Sequence, residues 1–309
     1  MLLLFFFKAF PLKTILLVGK NGQVGWELQR TLLPLGRVIS LDRTQLDITQ
    51  PDAIRKTIRE IAPDIIVNAA GYTTVDKAED EPELAMLINA TAPGVIAEET
   101  QRINALLVHY STDYVFDGTH ALPYVEEDEA RPVNLYGSSK LAGEQAIRAT
   151  KCKHLILRAS WIYSARGTNF VLTMLRLARQ RKELTVVDDQ IGSPSSARAL
   201  AKSTAELLSC FADRAEQSGV FHFSASGYVS RLTFAQAIIE VAKSLRGDAF
   251  VSATVRATST ENYPFALRAA RPLNATTSKV KLKRVFGLEL PTWEEQLRAQ
   301  LPECLAAAR

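Results

Sequence analysis

The sequence is poor in the features that mark secreted, metal-stapled or membrane-embedded proteins. Its three cysteines, Cys152, Cys210 and Cys304, are widely separated, odd in number and without metal-ligand spacing. That argues against a disulfide framework and predicts reduced thiols in a cytoplasmic protein. The one conspicuous apolar run, Met1-Leu-Leu-Leu-Phe-Phe-Phe7, is interrupted by Lys8 and soon followed by Lys13. It is too short to span a bilayer, no small-residue cleavage site follows it, and it reads as a flexible arm or as the trace of an upstream start, with an export signal the lesser alternative. No other segment is apolar enough to cross a membrane. A surplus of one charge is also missing: 37 basic residues face 33 acidic ones, giving a net +4. The short basic run Lys279-Val-Lys-Leu-Lys-Arg284 reads as a solvated helix face, so no nucleic-acid partner is expected. Internal repeats, low-complexity tracts and a clean linker are absent too. What remains is an ordinary globular composition over 309 residues, enough for one large α/β domain or two joined ones.

Short β-branched runs alternate with helical stretches over the first half. Strands are predicted at 14–18, 38–41, 64–68, 106–110 and 154–158. Helices are predicted at 26–33, at 51–61 behind a proline in the first turn, at 82–87 and 92–102, and from the region of Tyr136. Such alternation predicts a doubly wound, Rossmann-type parallel sheet covered on both faces, which binds ligands at the carboxyl ends of its strands. The pattern is less regular after residue 158. Helices are expected at 170–181, 199–211 and 233–244, strands at 184–187 and 220–223, and an irregular lid or clamp at 264–279. The expected organisation is a dinucleotide-binding domain over 14–163 and a smaller C-terminal, mainly substrate-binding lobe over 164–309, with segments returning to the first domain.

Gly19-Lys-Asn-Gly22-Gln-Val-Gly25 lies between the first predicted strand and helix. Glycines there let the backbone turn tightly and approach a pyrophosphate resting on a helix N-terminus. Asp42, about 20 residues on, closes the second strand where a carboxylate accepts from a ribose hydroxyl. Arg43 could meet a 2′-phosphate instead, so NADPH and NADH both stay open as cofactor. Asp47-Ile48 falls where an adenine would be held, although Asp47 could equally cap the helix ahead of Pro51. Asn68-Ala-Ala-Gly71 leaves room for a flat cofactor beside the backbone.

The reacting groups are expected downstream. Tyr136 and Lys140 are four residues apart, which places a phenol and an ammonium on one helix face. A carbonyl reductase needs a phenol to protonate oxygen as hydride reaches carbon, and a neighbouring cation is expected to lower its pKa. Thr112, at a strand end, can hydrogen-bond the reacting oxygen. Trp161 could stack on a sugar or form the floor between lobes. His109 reads as a satisfied core histidine, and Asp188-Asp189 as a turn or a polar-ligand contact.

These motifs, with Ser111-Thr-Asp-Tyr-Val-Phe-Asp-Gly118, Pro132-Val-Asn-Leu-Tyr-Gly-Ser-Ser-Lys140, Arg158-Ala-Ser-Trp161, Asp188-Asp-Gln-Ile-Gly-Ser-Pro194 and Arg268-Ala-Ala-Arg-Pro272, run in one order. They closely resemble the dTDP-4-dehydrorhamnose reductase family of the extended short-chain dehydrogenase/reductase superfamily. The resemblance implies NAD(P)H-dependent reduction of the C4 ketone of a dTDP-4-keto-6-deoxysugar, dTDP-4-dehydro-β-L-rhamnose, with Thr112, Tyr136 and Lys140 catalytic. It also implies that Gly22, Gln23, Val24, Asp42, Asp47, Ile48, Gly71, Tyr72 and Thr73 hold the cofactor, alongside Gly19, Gly25, Arg43 and Ala70 from the motif reading. Thr112, Asp113 and Trp161 would touch the sugar nucleotide. Pro194 is followed by Ser195-Ser196 where the family usually has threonine. Some bacterial members bind Mg²⁺ at a dimer interface through acidic residues, so a homodimer is one assembly this allows. Glu27 fits one such position, but Arg198 stands where another acid is expected, so Mg²⁺ is not supported. Two other readings share the pattern. A nucleotide-sugar dehydratase or epimerase would want a second carboxylate after the strand-end threonine, where Tyr114 stands. A non-catalytic subunit like the methionine adenosyltransferase β subunit would not need Thr112, Tyr136 and Lys140 intact.

Overall fold

The computed structural model describes residues 13–211, 217–247, 253–265 and 268–308. The apolar arm read at residues 1–12 lies outside the described residues, as do two positions of the predicted clamp, 266 and 267. In chain order the first half holds β1 (Lys13–Val18), α1 (Gln23–Thr31), β2 (Gly36–Leu41), α2 (Pro51–Ile61), β3 (Ile65–Asn68), α3 (Val75–Ala78), α4 (Pro82–Met86), α5 (Ala92–Arg102), β4 (Leu106–Thr112), α6 (Leu135–Ala149) and β5 (Lys153–Ala159). The second half holds β6 (Ile162–Tyr163), α7 (Phe170–Gln180), β7 (Glu183–Val187), β8 (Ile191–Gly192), β9 (Ser195–Ser196), α8 (Ala197–Phe211), β10 (Gly219–His222), β11 (Val229–Ser230), α9 (Arg231–Arg246), β12 (Thr254–Thr258), α10 (Val280–Phe286) and α11 (Trp293–Ala307).

Six strands form one parallel sheet in the order β10-β5-β4-β3-β1-β2. Successive residues of each strand face opposite layers, and both layers are covered, which is why the strands read as unbroken apolar runs. Ile15, Leu17, Val67, Val108 and Leu157 pack against α1, α8 and α10. Leu16, Val18, Ile66, Leu107 and Ile156 pack against α2, α5 and Ile147 of α6. The doubly wound sheet expected from the sequence is therefore present. Its sixth strand comes from residues 219–222, so the chain does cross back after leaving the first five. A separate apolar cluster joins α7, β7, α9, β12 and α11 around Tyr163, Phe234 and Trp293.

The parallel register lines up the strand ends that matter: Val18 lies beside Leu41 and Asn68, Asn68 beside His109, and Thr112 beside Ala159. Strand order reverses at β1, so a crevice opens between the ends of β1 and β3.

Helix α6 is held in place at several levels. Its N-cap, Asn134, accepts from the Gly137 N–H at 2.8 Å. A Cβ at Gly137 would strike the Tyr114 carbonyl oxygen, and one at Gly143 the Asn89 carbonyl oxygen, so both glycines permit close backbone approach. Asn89 sits in a five-residue π-helical turn, Leu87–Thr91, that the helical pattern did not reveal. Deeper in the helix, Glu144 receives Arg158 of β5 in a two-pronged ion pair, Nε at 2.9 Å and Nη2 at 2.7 Å. The two side chains are 1% and 4% exposed, so the pair is desolvated. Ser111 of β4 donates to the same carboxylate.

The predicted clamp over 264–279 has no regular element among its described residues and straps the edge of the fold. Arg271 pairs with Asp76 at 2.8 Å, Arg268 with Asp80 at 2.7 Å, and Asn134 donates to the Ala270 carbonyl.

Truncating Glu144 would leave the Arg158 guanidinium buried and unpaired. Glu144→Ala is expected to destabilise the protein by about 3–5 kcal/mol, read as a lowered urea midpoint at unchanged slope. A midpoint within a few tenths molar of the parent would show that α6 is fixed by its packing alone.

Candidate active site

A cleft of about 640 Å³ runs along the carboxyl ends of β1, β3, β4 and β5, lined by Gly22, Gln23, Val24, Ala70, Gly71, Thr73, Thr112, Asp113, Tyr136, Lys140 and Trp161 among others. It continues into a smaller cavity of about 300 Å³ lined by Gly19, Asp42, Arg43, Asp47 and Ile48, with Ala70 and Gly71 shared between the two. All but two of the residues assigned to the cofactor, the substrate or the reaction line these spaces. Gly25 lies beneath the loop, where a Cβ would collide with the Gly19 carbonyl oxygen. Tyr72 is turned away: its phenol donates to Glu81 at 2.7 Å, and its backbone N–H is held by Asn89 at 2.8 Å.

The inner loop is built for close approach. Gly19 adopts φ +88°, and a Cβ there would come within 2.7 Å of the Ala70 backbone. Gly22 caps α1, whose first residues, Gln23 and Val24, open onto the cleft. A pyrophosphate fits a glycine cradle at such a helix N-terminus. Beyond it, Asp42 accepts from the Thr44 hydroxyl at 2.6 Å and lies 3.3 Å from Lys20. The Thr44 hydrogen bond and then Lys20 hold its pKa down at about 2. Asp47 binds the Thr49 N–H and hydroxyl at 3.0 and 2.8 Å, so it closes a turn, while Gln50 is the N-cap of α2 and makes no side-chain cap.

At the other end Tyr136 stands half-buried on the first turn of α6. Burial pushes its pKa up, opposed by a hydrogen bond with Thr112. Burial thus acts against the lowering expected from a neighbouring cation. The hydrogen bonds of Lys140 go to its neighbours on β4: Nζ donates to the Tyr110 carbonyl at 2.6 Å and lies 3.1 Å from His109 Nε2. Burial brings the Lys140 pKa down to about 8, with Glu144 acting in the opposite direction.

Thr112 is tied into its own strand end as well as the cleft. Its hydroxyl accepts from the Tyr114 N–H at 3.1 Å and donates to Asp113 at 3.0 Å. Asp113 also accepts from Ser160 at 2.6 Å, and burial raises its pKa to about 6 despite these bonds. Trp161 has φ +42°, an unusual conformation for an indole residue. A Cβ on Gly192 would overlap its ring, which accounts for the glycine in the 188–194 motif. Arg231, which the sequence did not single out, stacks its guanidinium 3.7 Å from the Trp161 ring centroid and lines the same cleft. Asp189 accepts from the Thr260 N–H and hydroxyl, both at 2.7 Å, so it serves the turn and not the cleft.

A third hollow, of about 620 Å³, lies outside the site around Trp26, Glu27, Arg198 and Glu303. Arg198 reaches Glu303 at 2.7 Å and Glu27 at 3.5 Å. The guanidinium already occupies the space between the two carboxylates, an arrangement that does not fit a divalent cation. No group of three or more potential metal ligands occurs among the described residues.

The family model of the RmlD substrate binding domain matches residues 13–306. The chain is 44% identical to the dTDP-4-dehydrorhamnose reductase of Escherichia coli (strain K12), covering 94% of this chain and 97% of that one. It is likewise 44% identical to the dTDP-4-dehydrorhamnose reductase of Burkholderia thailandensis, covering 90% and 95%. The crystal structure of dTDP-4-dehydrorhamnose reductase from Bacillus anthracis str. Ames in complex with NADP superposes with a TM-score of 0.86 at 36% identity, covering 94% of this chain and 99% of that one.

Arg43 is exposed at the wall of the smaller cavity, whereas both oxygens of Asp42 have local partners. Arg43→Ala should weaken NADPH about tenfold, the worth of one charge-assisted hydrogen bond, and leave NADH nearly untouched. Equal loss for both cofactors in a fluorescence titration would remove Arg43 from recognition of the 2′-phosphate.

Proposed function

The chain belongs to the dTDP-4-dehydrorhamnose reductase family, and from that premise we propose that Thr112, Tyr136 and Lys140 are its reacting set. The protein is an NAD(P)H-dependent oxidoreductase of dTDP-rhamnose formation, reducing the C4 ketone of dTDP-4-dehydro-β-L-rhamnose to dTDP-β-L-rhamnose. The observation that supports the residue assignment is the convergence of these three side chains with the glycine loop in one cleft.

When bound, the nicotinamide cofactor supplies the hydride. The glycine cradle of Gly19, Gly22 and Gly25 with Gln23 and Val24 would hold its pyrophosphate. Asp42, Arg43, Asp47 and Ile48 would take the adenosine half, and Ala70, Gly71, Thr73, Tyr136 and Lys140 the nicotinamide half. Tyr72 is left out of this set on the position of its phenol.

In our reading Tyr136 is the general acid. Its raised pKa keeps the phenol protonated at neutral pH, the form in which it can give a proton to the carbonyl oxygen. Thr112 would align that oxygen by turning its one hydroxyl proton from Asp113 to the carbonyl, while the Tyr114 N–H holds the hydroxyl oxygen in place. Below pH about 8 Lys140 carries the positive charge that steadies a departing proton's phenolate. Trp161, braced by Arg231 and Gly192, offers a flat face to the sugar nucleotide. Residues 14–163 would form the dinucleotide domain and 164–309 the main substrate lobe, returning β10, α8 and α10 to the sheet. A cytoplasmic location fits the free thiols of Cys152, Cys210 and Cys304. No helix among the described residues is long and apolar enough to cross a membrane. A homodimer is part of the same proposal.

Purified protein should oxidise NADPH only when a dTDP-4-keto-6-deoxysugar is supplied. Tyr136→Phe should lower kcat by about two to four orders of magnitude while cofactor binding stays close to the parent's, because the proton is needed in the transition state. Parental turnover in that variant would take the proton-donor role away from Tyr136.

A further inference from the structure

His109 is fully buried in β4, and its ring joins the end of β3 to α6. Nδ1 lies 3.1 Å from Asn68 Nδ2, and Nε2 lies 3.1 Å from Lys140 Nζ. The Asn68 amide has a fixed sense, because its Oδ1 accepts the Ala70 N–H at 3.1 Å. Its NH₂ therefore faces the imidazole. An amide NH₂ can only donate, so Nδ1 must accept and the ring's single proton sits on Nε2, aimed at Lys140.

That proton has a consequence for the lysine. An ammonium has three donors and no acceptor, and would meet Nε2–H donor against donor. A neutral amine accepts from Nε2–H and still donates to the Tyr110 carbonyl at 2.6 Å. We propose that His109, locked in one tautomer by Asn68, is a positioning residue that stabilises the neutral amine of Lys140 and so turns a static charge into a proton donor. The hydrogen bonds run in one direction, from Ala70 N–H through Asn68 and His109 to Lys140 and on to Tyr110.

This inference rests on the assignment of Lys140 to the reacting set. In reduction the Tyr136 O–H bond breaks as the substrate O–H bond forms, leaving a phenolate. A Lys140 N–H bond then breaks as the Tyr136 O–H bond is remade, the proton crossing a bridging hydroxyl because Lys140 Nζ is hydrogen-bonded to Tyr110 and His109 and not to the phenol, and solvent later restores the ammonium. The amine left behind is the form that His109 Nε2–H hydrogen-bonds. The other charged groups around the pair are engaged elsewhere. Glu144 on α6 is taken by Arg158 of β5 and by Ser111, and Asp113 after β4 is bound by Ser160 and Thr112. Among the described residues no carboxylate forms an ion pair with Lys140. Burial acts in the same sense on both partners, keeping His109 neutral and bringing Lys140 down to about 8.

The chain has four histidines, so ¹⁵N-histidine labelling of the full-length protein gives a resolvable spectrum, with His109 assigned by the loss of its signals in His109→Gln. The expected result is a neutral ring protonated on Nε2 throughout pH 5–9. A ring protonated on Nδ1, or one that gains a second proton in that range, would overturn the proposal without any variant needing to be active. The rate profile supplies the second arm. Parental kcat should fall as pH rises through about 8, where the Lys140 ammonium is lost. Asn68→Asp replaces the donor by an acceptor, draws the ring proton to Nδ1 and frees Nε2 to accept from an ammonium. Its alkaline limb should move up by about one pH unit, a tenfold change in the lysine's proton affinity. An unmoved limb in folded Asn68→Asp protein would refute the mechanism. Full turnover by Lys140→Met would instead refute the role of Lys140 while leaving the tautomer measurement intact.

Discussion

The buried ion pair between Glu144 and Arg158 is the constraint on which the reactive end of the molecule depends. Tyr136 and Lys140 both ride on α6, and the helix approaches the sheet closely enough to require glycine at 137 and 143. Glu144, one turn beyond Lys140, fastens that helix to β5 and, through Ser111, to β4. Buried pairs of this kind contribute little net stability but resist being half-broken. The pair thereby sets the rotation of α6 about its axis, and with it the direction in which the phenol and the amine point.

The environment of Tyr136 and Lys140 follows from the same enclosure. Desolvation moves a phenol and an amine in opposite directions, disfavouring the charge on each. On the proposed mechanism the tyrosine is thus kept as an acid while the lysine becomes an easier proton source. Spacing on a helix conveys which groups are neighbours but not how dry their surroundings are. That is why the sequence places Tyr136 and Lys140 together, as they are in the cleft, but carries no sign of how far burial opposes ionisation of the phenol.

Much of the fold was legible for a simple reason: strands buried on both faces must be apolar throughout, and β1 to β5 announce themselves. The predicted helix at 51–61 coincides with α2 because Pro51 fixes its start. Other features depend on tertiary approach. The π turn around Asn89 has no periodic signature, and the stacking of Arg231 on Trp161 joins segments that nothing in the linear pattern connects. Helix α11 has no counterpart among the predicted elements, although Thr292 and Glu295 form a capping box at its start. His109 was read correctly as satisfied, but what satisfies it emerged only when Asn68 and Lys140 were placed on either side.

The arginine lodged between Glu27 and Glu303 changes how that surface responds to its surroundings. A positive charge carried on the polypeptide is delivered with every copy of the chain and cannot be stripped by chelators or exchanged for a competing ion. The local electrostatic balance there is inherited through the coding sequence.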